Sequence, residues 1–324
     1  MPLAASALRE PPRRRATGRP AAAALVCAAV ISGCVASPGS SSGEPAPTTR
    51  AEAPQRTTAP SPAPPPPSAS PDPSGWNARP DSVAAVGDSI TRAFDACGAL
   101  ADCPEASWAT GSDTRVNSLA LRLLGTAGAA ERSWNLARSG ARVADLPGQM
   151  ARAAEHRPGL VTVTAGANDA CRPAPALMTP VADFRASFAS ALARLWEASP
   201  STRVYVTSVP DLKRLWATGR DNAAGRRVWA LGVCASMLTD PLDTGPAAER
   251  RRSAVRERVV AYNEVLKEVC VRDERCRHDG GAVFDHPFGA AQLSPWDWFH
   301  PSLEGQARLA DIAYRNVTAA RPPA

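Results

Sequence analysis

The sequence predicts an α/β protein, a three-layer α/β/α sandwich built around a central parallel sheet of about five strands. Two observations support this fold class. Short apolar runs rich in β-branched residues alternate with longer stretches whose apolar residues recur every three or four positions. Strands separated by helices pair in parallel through right-handed crossovers, so the helices cover both faces of the sheet. A hydrophobic fraction of 44% in 324 residues supplies enough apolar side chain for a substantial core.

The first 34 residues are typical of an export signal. Arginines between Arg9 and Arg19 precede an apolar run that is too short for a comfortable membrane span. The run ends at Cys34 in the stretch ISGC, which resembles the lipobox of bacterial lipoproteins, where the cysteine is lipidated and becomes the new N-terminus. We therefore expect a lipoprotein-type signal over residues 1–34, lipidation at Cys34 and a protein anchored at the cell surface. An ordinary cleaved signal peptide, and hence a secreted protein, is the alternative.

Residues 35–80 predict a disordered tether. They consist mainly of Pro, Ser, Ala and Thr and contain almost no large apolar side chain. Such a segment cannot bury enough surface to offset the loss of chain entropy, so it stays extended and partly polyproline in character. The folded domain is therefore expected over residues 81–324, a length typical of a single α/β domain.

Five apolar runs in the domain predict strands, and the stretches between them predict helices. The predicted strands cover residues 82–86, 133–136, 160–164, 203–209 and 282–284. The predicted helices cover residues 116–131, 143–156, 181–199, 250–270 and 303–320. A long insertion, at about 212–248, follows the fourth predicted strand.

The domain contains six of the eight cysteines, an even number that predicts three disulfides behind an export signal. The six are Cys97, Cys103, Cys171, Cys234, Cys270 and Cys276. Two pairs share the same close spacing and would close small loops, Cys97 with Cys103 and Cys270 with Cys276, which leaves Cys171 for Cys234. Fifteen pairings are formally possible. A zinc site is the alternative, which the absence of a C-x-x-C motif and of histidines at ligand spacing disfavours.

The net charge of +6 does not indicate a nucleic-acid partner. Much of the excess lies in the first 34 residues, the tether is balanced, and the cations of the domain are interspersed with acids. We expect no nucleic-acid partner, no metal, no cofactor, a monomer, and membrane contact only through the lipid anchor.

Three residues that could take part in catalysis follow the first three predicted strands. Ser89 comes just after the first strand, Gly140 after the second and Asn168 after the third. Ligands of open parallel sheets bind beyond the carboxyl ends of the strands. We therefore expect Ser89, Gly140 and Asn168 to gather at one edge of the sheet.

His300 is the candidate base for a nucleophilic Ser89. A serine hydroxyl is a poor nucleophile at neutral pH, so it needs a base that accepts its proton and donors that hold the oxyanion. Asp297 lies three residues before His300, in a predicted tight turn ahead of a helix. From there the carboxylate can bind the imidazole Nδ1 and leave Nε2 facing the serine.

Four short blocks resemble, in the same order, the four blocks of the SGNH (GDSL) hydrolase family. They are GDSI at 87–90, NLARSGA at 135–141, GAND at 166–169 and DWFH at 297–300. The stretch VTSVPDLKRLW and the six cysteines look most like secreted actinobacterial members. The first block has Ile where the family name implies Leu, a conservative change at an apolar contact.

The resemblance, which covers about 82–320, implies a role for each matching residue. Ser89 would be the nucleophile, His300 the general base and acid, and Asp297 the residue that orients His300. The oxyanion would be held by the backbone N–H groups of Ser89 and Gly140 and by the side-chain amide of Asn168. Glycine permits close backbone approach, and an amide is a neutral donor that does not quench the base.

The resemblance implies an exported serine hydrolase of the lipase or esterase type, which cleaves small-molecule or lipid carboxylic esters. The family also includes carbohydrate deacetylases, so an O-deacetylase of acetylated cell-wall or plant glycans is one alternative. A tethered, non-catalytic binding protein is the other. Five large apolar residues of the insertion either line an acyl-chain groove or pack beneath a long loop. They are Trp216, Trp229, Leu231, Met237 and Leu238.

Overall fold

The computed structural model describes residues 76–323, and it confirms the predicted α/β class. Five strands form one sheet in which every neighbouring pair is parallel. The strands are β1 (Val83–Gly87), β2 (Ser133–Asn135), β3 (Leu160–Thr164), β4 (Arg203–Val206) and β5 (Cys276–His278). Their order across the sheet is β2-β1-β3-β4-β5. The chain leaves β1 toward β2 on one side and returns to β3 on the other, so the strand order reverses next to β1, where ligands of such sheets bind.

Helices follow the strands and complete the layers. The α-helices are α1 (Leu119–Arg132), α2 (Leu146–Glu155), α3 (Ala167–Ala170), α4 (Val181–Ala198), α5 (Leu212–Gly219), α6 (Ala223–Trp229), α7 (Ala235–Leu238), α8 (Pro246–Cys270), α9 (Ala282–Asp285) and α10 (Leu303–Thr318). Short 3-10 turns lie at Pro104–Ala106, Val143–Asp145, Pro175–Leu177 and Ala290–Gln292. None of the helices within residues 76–323 is long and apolar enough to cross a membrane.

The core lies on both faces of the central strands. Every residue of β1 and of β3 is buried, as expected for parallel strands covered on two sides. Helix α4 packs between α2 and α8 and contributes the fully buried Phe184 and Phe188, while α1 packs against α10. The buried face of α4 repeats at three- and four-residue spacing, which is the pattern that predicted the helix.

The fifth predicted strand, 282–284, is wrong. Ala282–Asp285 forms the short helix α9, and the fifth strand is Cys276–His278, which pairs with β4. This strand has no apolar run by which the sequence could predict it, since two of its three residues are the polar Arg277 and His278. Both are nevertheless buried. Arg277 is accommodated by donating to the carbonyl oxygens of Asn316 (2.9 Å) and Ala319 (2.6 Å) at the end of α10.

The chain joins the core a few residues before the expected boundary at 80. Trp76 is buried, and its indole Nε1 donates to the carbonyl oxygen of Val317 at 2.8 Å. A single tryptophan gives a Pro- and Ser-rich segment enough apolar surface for this short contact. The predicted signal, Cys34 and the predicted tether up to residue 75 lie outside the described residues.

Three disulfides join the cysteines in the pairs that their spacing favoured. Cys97 is bonded to Cys103, Cys171 to Cys234, and Cys270 to Cys276. The first closes a loop after β1, and the third joins the end of α8 to β5. The second joins the end of α3 to the start of α7, across 63 residues of sequence. The insertion is therefore covalently fixed to the segment that carries Asn168.

Candidate active site

The turn that carries Ser89 depends on Gly87, the last residue of β1. Gly87 has φ of +134°, and a Cβ there would lie 2.0 Å from the carbonyl oxygen of Thr164 on β3. Only glycine allows this approach, so the chain can turn away from the sheet at once. Asp88, fully buried, accepts a hydrogen bond from the backbone N–H of Ile90 at 3.0 Å. The turn leaves the Ser89 side chain at the carboxyl edge of the sheet.

Two glutamines hold this turn, and sequence reasoning missed both. Gln149 of α2 accepts from the Gly87 N–H at 2.6 Å and donates to the Gly87 carbonyl oxygen at 2.9 Å. Gln306 of α10 donates to the carbonyl oxygen of Ile90 at 2.9 Å. Both side chains are buried. Because an isolated glutamine inside a helical pattern belongs to no motif, only the tertiary contacts reveal these supports.

Ser89, His300 and Asp297 form a continuous hydrogen-bonded chain. The Ser89 Oγ lies 2.9 Å from Nε2 of His300, and Nδ1 of His300 lies 2.5 Å from Oδ2 of Asp297. Their side chains come from opposite ends of the domain, 211 positions apart for Ser89 and His300. The geometry is that of a nucleophile, a base and an orienting carboxylate.

The loop that carries His300 is fixed by its own backbone and by the insertion. Oδ1 of Asp297 accepts from the backbone N–H groups of Phe299 (2.9 Å) and His300 (3.0 Å). The carbonyl oxygen of Asp297 accepts from the indole Nε1 of Trp229, in α6, at 2.7 Å. The insertion thus contributes to the site by holding the loop that carries Asp297 and His300 in place.

Burial and charge shift the protonation equilibria of this group. Burial favours neutral His300, but the hydrogen bond and negative charge of Asp297 outweigh it and raise the pKa of His300 above its ordinary value. Burial likewise opposes ionisation of Asp297, yet the bond and charge of His300 hold the pKa of Asp297 below its usual range. Burial raises the pKa of Asp88 to about 7. In the His300–Asp297 pair, these shifts favour a charged carboxylate beside a readily protonated imidazole.

Gly140 and Asn168 reach the same edge from β2 and β3. Gly140 has φ of +79° in a turn closed by a hydrogen bond from the Ala141 N–H to the Arg138 carbonyl oxygen. A Cβ there would meet nothing within 4 Å, so glycine is favoured by the positive φ and not by a lack of space for a side chain. Asn168, in the first turn of α3, donates from Nδ2 to the carbonyl oxygen of Ala141 at 3.0 Å. This bond joins the two predicted oxyanion-hole segments.

A pocket of about 230 Å³ opens beside the relay. Ser89, Asn168 and His300 line it together with Thr164, and the rest of its wall is apolar. The apolar wall consists of Ile90, Ala167, Pro210, Leu212, Leu215, Val233, Val283, Phe288, Leu293, Phe299, Pro301 and Leu309, together with the Cys171–Cys234 disulfide. Gly140 is not among the lining residues. The pocket combines few polar groups with a large apolar surface, as small-molecule sites do.

The five insertion residues considered for an acyl groove do not line this pocket. Trp216, Trp229, Met237 and Leu238 are buried in the core, and Leu231 is 84% exposed. The insertion does reach the pocket, but through Leu212, Leu215 and Val233. The large side chains pack beneath the segment because they bury the most apolar area there.

A model of the GDSL-like lipase/acylhydrolase family matches residues 85–308 of the chain. A search of curated proteins finds no match. Among solved structures, phospholipase A1 from Streptomyces albidoflavus is 18% identical, with a TM-score of 0.41, over 74% of this chain and 99% of that one.

Two further structures are similar over comparable spans. The extracellular lipase of Streptomyces rimosus is 18% identical, with a TM-score of 0.37, over 72% of this chain and 99% of that one. A family two carbohydrate esterase from Clostridium thermocellum is 13% identical, with a TM-score of 0.40, over 72% of this chain and 61% of that one. The family model begins within β1, extends into α10 and includes all four sequence blocks. The chain therefore belongs to the GDSL-like lipase/acylhydrolase family, the SGNH hydrolases.

Proposed function

We propose that the protein is an exported serine hydrolase that cleaves carboxylic esters through an acyl-enzyme on Ser89. Membership of the family supports ester hydrolysis. The observation that carries the assignment of residues is the uninterrupted relay from the Ser89 Oγ through His300 to Asp297, beside an apolar pocket. An intact relay of this kind also argues against a purely binding role.

In the acylation step, Nε2 of His300 takes the proton of the Ser89 hydroxyl as Oγ attacks the ester carbonyl carbon. The tetrahedral intermediate collapses when its C–O bond to the alcohol breaks, and the alcohol leaves with the proton from Nε2. Water then attacks the acyl-enzyme, gives its proton to Nε2, and releases the carboxylic acid as the proton returns to Oγ. Asp297 stays ionised throughout and stabilises the imidazolium form of His300.

The negative oxygen of each tetrahedral intermediate needs donors that are in place before the reaction begins. We assign the backbone N–H groups of Ser89 and Gly140 and the side-chain amide of Asn168 to this role. The bond from Asn168 to Ala141 supports the assignment, because it fixes the amide and leaves its second N–H available. A neutral amide beside His300 does not compete for the proton.

The pocket supports an ester with an apolar acyl chain as substrate. An acetyl group would leave most of the cavity of about 230 Å³ unfilled, whereas a longer chain would replace water along its apolar wall. This contrast favours a lipid or fatty-acyl ester over an O-acetylated glycan. Three disulfides support an oxidising compartment outside the cytosol. Lipidation of Cys34, a monomeric state and the absence of a nucleic-acid partner stay predictions.

Hydrolysis of p-nitrophenyl esters from acetyl to palmitoyl by the purified protein tests the proposal. We expect activity that falls to background in Ser89→Ala and is retained in Ser112→Ala, an exposed serine between β1 and α1. Equal activity in wild type and Ser89→Ala would refute the assigned nucleophile. No activity with any ester would refute ester hydrolysis by this site on these substrates and would favour the binding role.

A further inference from the structure

A second buried carboxylate lies beside the His300–Asp297 pair. Asp95 is 2% exposed and belongs to the loop after β1, far in sequence from the loop that carries His300. One carboxylate oxygen of Asp95, one of Asp297 and a ring nitrogen of His300 all lie within 4.8 Å of one another. The sequence motifs assign no role to Asp95.

The position of Asp95 is determined by its own loop. Its φ of +59° is left-handed, a conformation that Asp and Asn tolerate better than most residues. Oδ1 of Asp95 accepts from the Leu100 N–H at 2.5 Å, and its backbone N–H donates to the Ala101 carbonyl oxygen at 2.9 Å. The Cys97–Cys103 disulfide closes the same loop. The side chain is thus held in a small, cross-linked turn.

Ser294 connects the Asp95 turn to the His300 loop. Its Oγ donates to the carbonyl oxygen of Asp95 at 2.7 Å, and its backbone N–H donates to the carbonyl oxygen of His300 at 2.7 Å. The ring of Phe94 meets the His300 ring edge-on, with centroids 5.1 Å apart. Phe94 and Asp95 therefore both lie beside the imidazole of His300. Phe94 contributes an apolar ring contact, and Asp95 contributes a carboxylate.

Three carboxylates from different segments counteract the effect of burial and raise the pKa of His300. They are Asp297 from its own loop, Asp95 from the disulfide-closed turn and Asp88 from the end of β1, and the charge of Asp169 contributes to raising the pKa of Asp88. Burial and the charge of Asp297 both raise the pKa of Asp95. Two buried carboxylates this close repel each other, and the charge that offsets the repulsion is the protonated imidazole. The arrangement is most favourable when His300 carries a proton, which is its state after Ser89 has been deprotonated.

We propose that Asp95 is a positioning residue that acts through His300, because its carboxylate adds a second negative charge that stabilises the imidazolium formed during acylation and deacylation. Asp95 touches neither the substrate nor Ser89 in this role. Asp297 orients the ring through its short hydrogen bond, and Asp95 strengthens the base electrostatically. This inference rests on the proposed function of His300 as the general base.

The substitution Asp95→Asn separates charge from shape. Asparagine keeps the side-chain oxygen that accepts from Leu100 and tolerates the left-handed backbone, so mainly the charge is lost. Removing a negative charge near His300 makes its protonated form less stable, and the acid limb of the kcat/KM profile then moves to lower pH. For charges about 5 Å apart the expected shift is about 0.6 to 2.4 pH units, according to how strongly solvent screens them. A weaker base also lowers the plateau, by up to about tenfold.

Glu105→Gln is the matched control, because it removes an exposed carboxylate just beyond the same loop and changes the net charge equally. Its acid limb should coincide with that of wild type. Asp95→Glu restores the charge and should recover most of the shift. Asp95→Gly, which accepts a positive φ without a charge, should shift the limb in the same direction as Asp95→Asn and serves if the Asn variant does not fold.

A second readout keeps this inference separate from the ester assay. NMR titration of the imidazole resonances of ¹⁵N-histidine-labelled protein, with the His300 signals identified by their loss in His300→Gln, measures the protonation of His300 directly. We expect its midpoint to fall in Asp95→Asn by the same amount as the acid limb. Unchanged midpoints in Asp95→Asn and Asp95→Gly would overturn the role of Asp95, even if wild type hydrolyses esters. A wild type without esterase activity would instead count against the proposed function, while the titration would still decide the role of Asp95.

Discussion

If the proposed ester places its acyl chain in the pocket beside Ser89, the size of the pocket should determine which chain lengths are hydrolysed best. A pocket of about 230 Å³ has room for several methylene groups along its apolar wall, whereas an acetyl group would fill little of it. Each buried methylene contributes about 0.8 kcal/mol, which is about a fourfold gain in kcat/KM. We therefore predict that kcat/KM for p-nitrophenyl esters rises from acetyl to an optimum at a medium chain length, and falls for chains that extend beyond the pocket.

Val233→Trp is the perturbation that tests this limit. Val233 lines the pocket and lies in the segment between α6 and α7, so a larger side chain there takes up acyl space without entering a helix. If it removes room for two methylenes, kcat/KM for octanoate should fall by more than about tenfold, while acetate hydrolysis changes little. The optimum should move to shorter chains.

Leu231→Trp is the matched control for this variant. Leu231 lies two residues earlier, is 84% exposed and does not line the pocket, so the same substitution should leave the chain-length profile unchanged. The value of kcat/KM is obtained from initial rates at several ester concentrations below the critical micelle concentration of each ester. A flat profile in wild type, or equal shifts in Val233→Trp and Leu231→Trp, would refute the assignment of the cavity to the acyl chain.

Two further predictions concern the oxyanion hole and the long disulfide. Asn168→Ala should lower kcat by about 10²- to 10³-fold with little change in KM, because the hydrogen bond proposed from this amide to the oxyanion forms only in the transition state. A change in KM alone, measured by steady-state kinetics, would contradict this role. Replacing Cys171 and Cys234 together by serine should lower the free energy of unfolding by about 4 kcal/mol, because the disulfide closes a loop of 63 residues, and urea denaturation showing a loss below ~1 kcal/mol would contradict this.

The parts of the site that were predictable from the sequence are those with short-range patterns. Ser89 and Asn168 each lie two residues after a glycine near the end of a predicted strand. Asp297 lies three residues before His300. The parallel sheet then brings these stretches to one edge, which the topological rule anticipates. The pairing of the cysteines was also accessible, because two pairs have short and equal spacings.

The remaining features depend on tertiary contacts that leave no local pattern. Strand β5 carries Arg277 and His278, and the carbonyl oxygens at the end of α10 that accommodate Arg277 lie about 40 residues further along the chain. Gln149 and Gln306 hold the Ser89 turn from two different helices. Asp95 resembles any loop aspartate until the fold places it beside His300. In each case the role of a buried polar group depends on residues that are remote in sequence.

Covalent trapping with a p-nitrophenyl phosphonate tests directly whether Ser89 is the nucleophile. Attack by the Ser89 Oγ on phosphorus would displace p-nitrophenolate and leave a stable phosphonyl ester on the serine. We expect release of one equivalent of p-nitrophenolate per protein and loss of esterase activity. Tandem mass spectrometry should place the adduct on Ser89 and find none in Ser89→Ala. Inactivation with the adduct on another residue, or an active esterase that is neither inactivated nor labelled, would contradict this assignment.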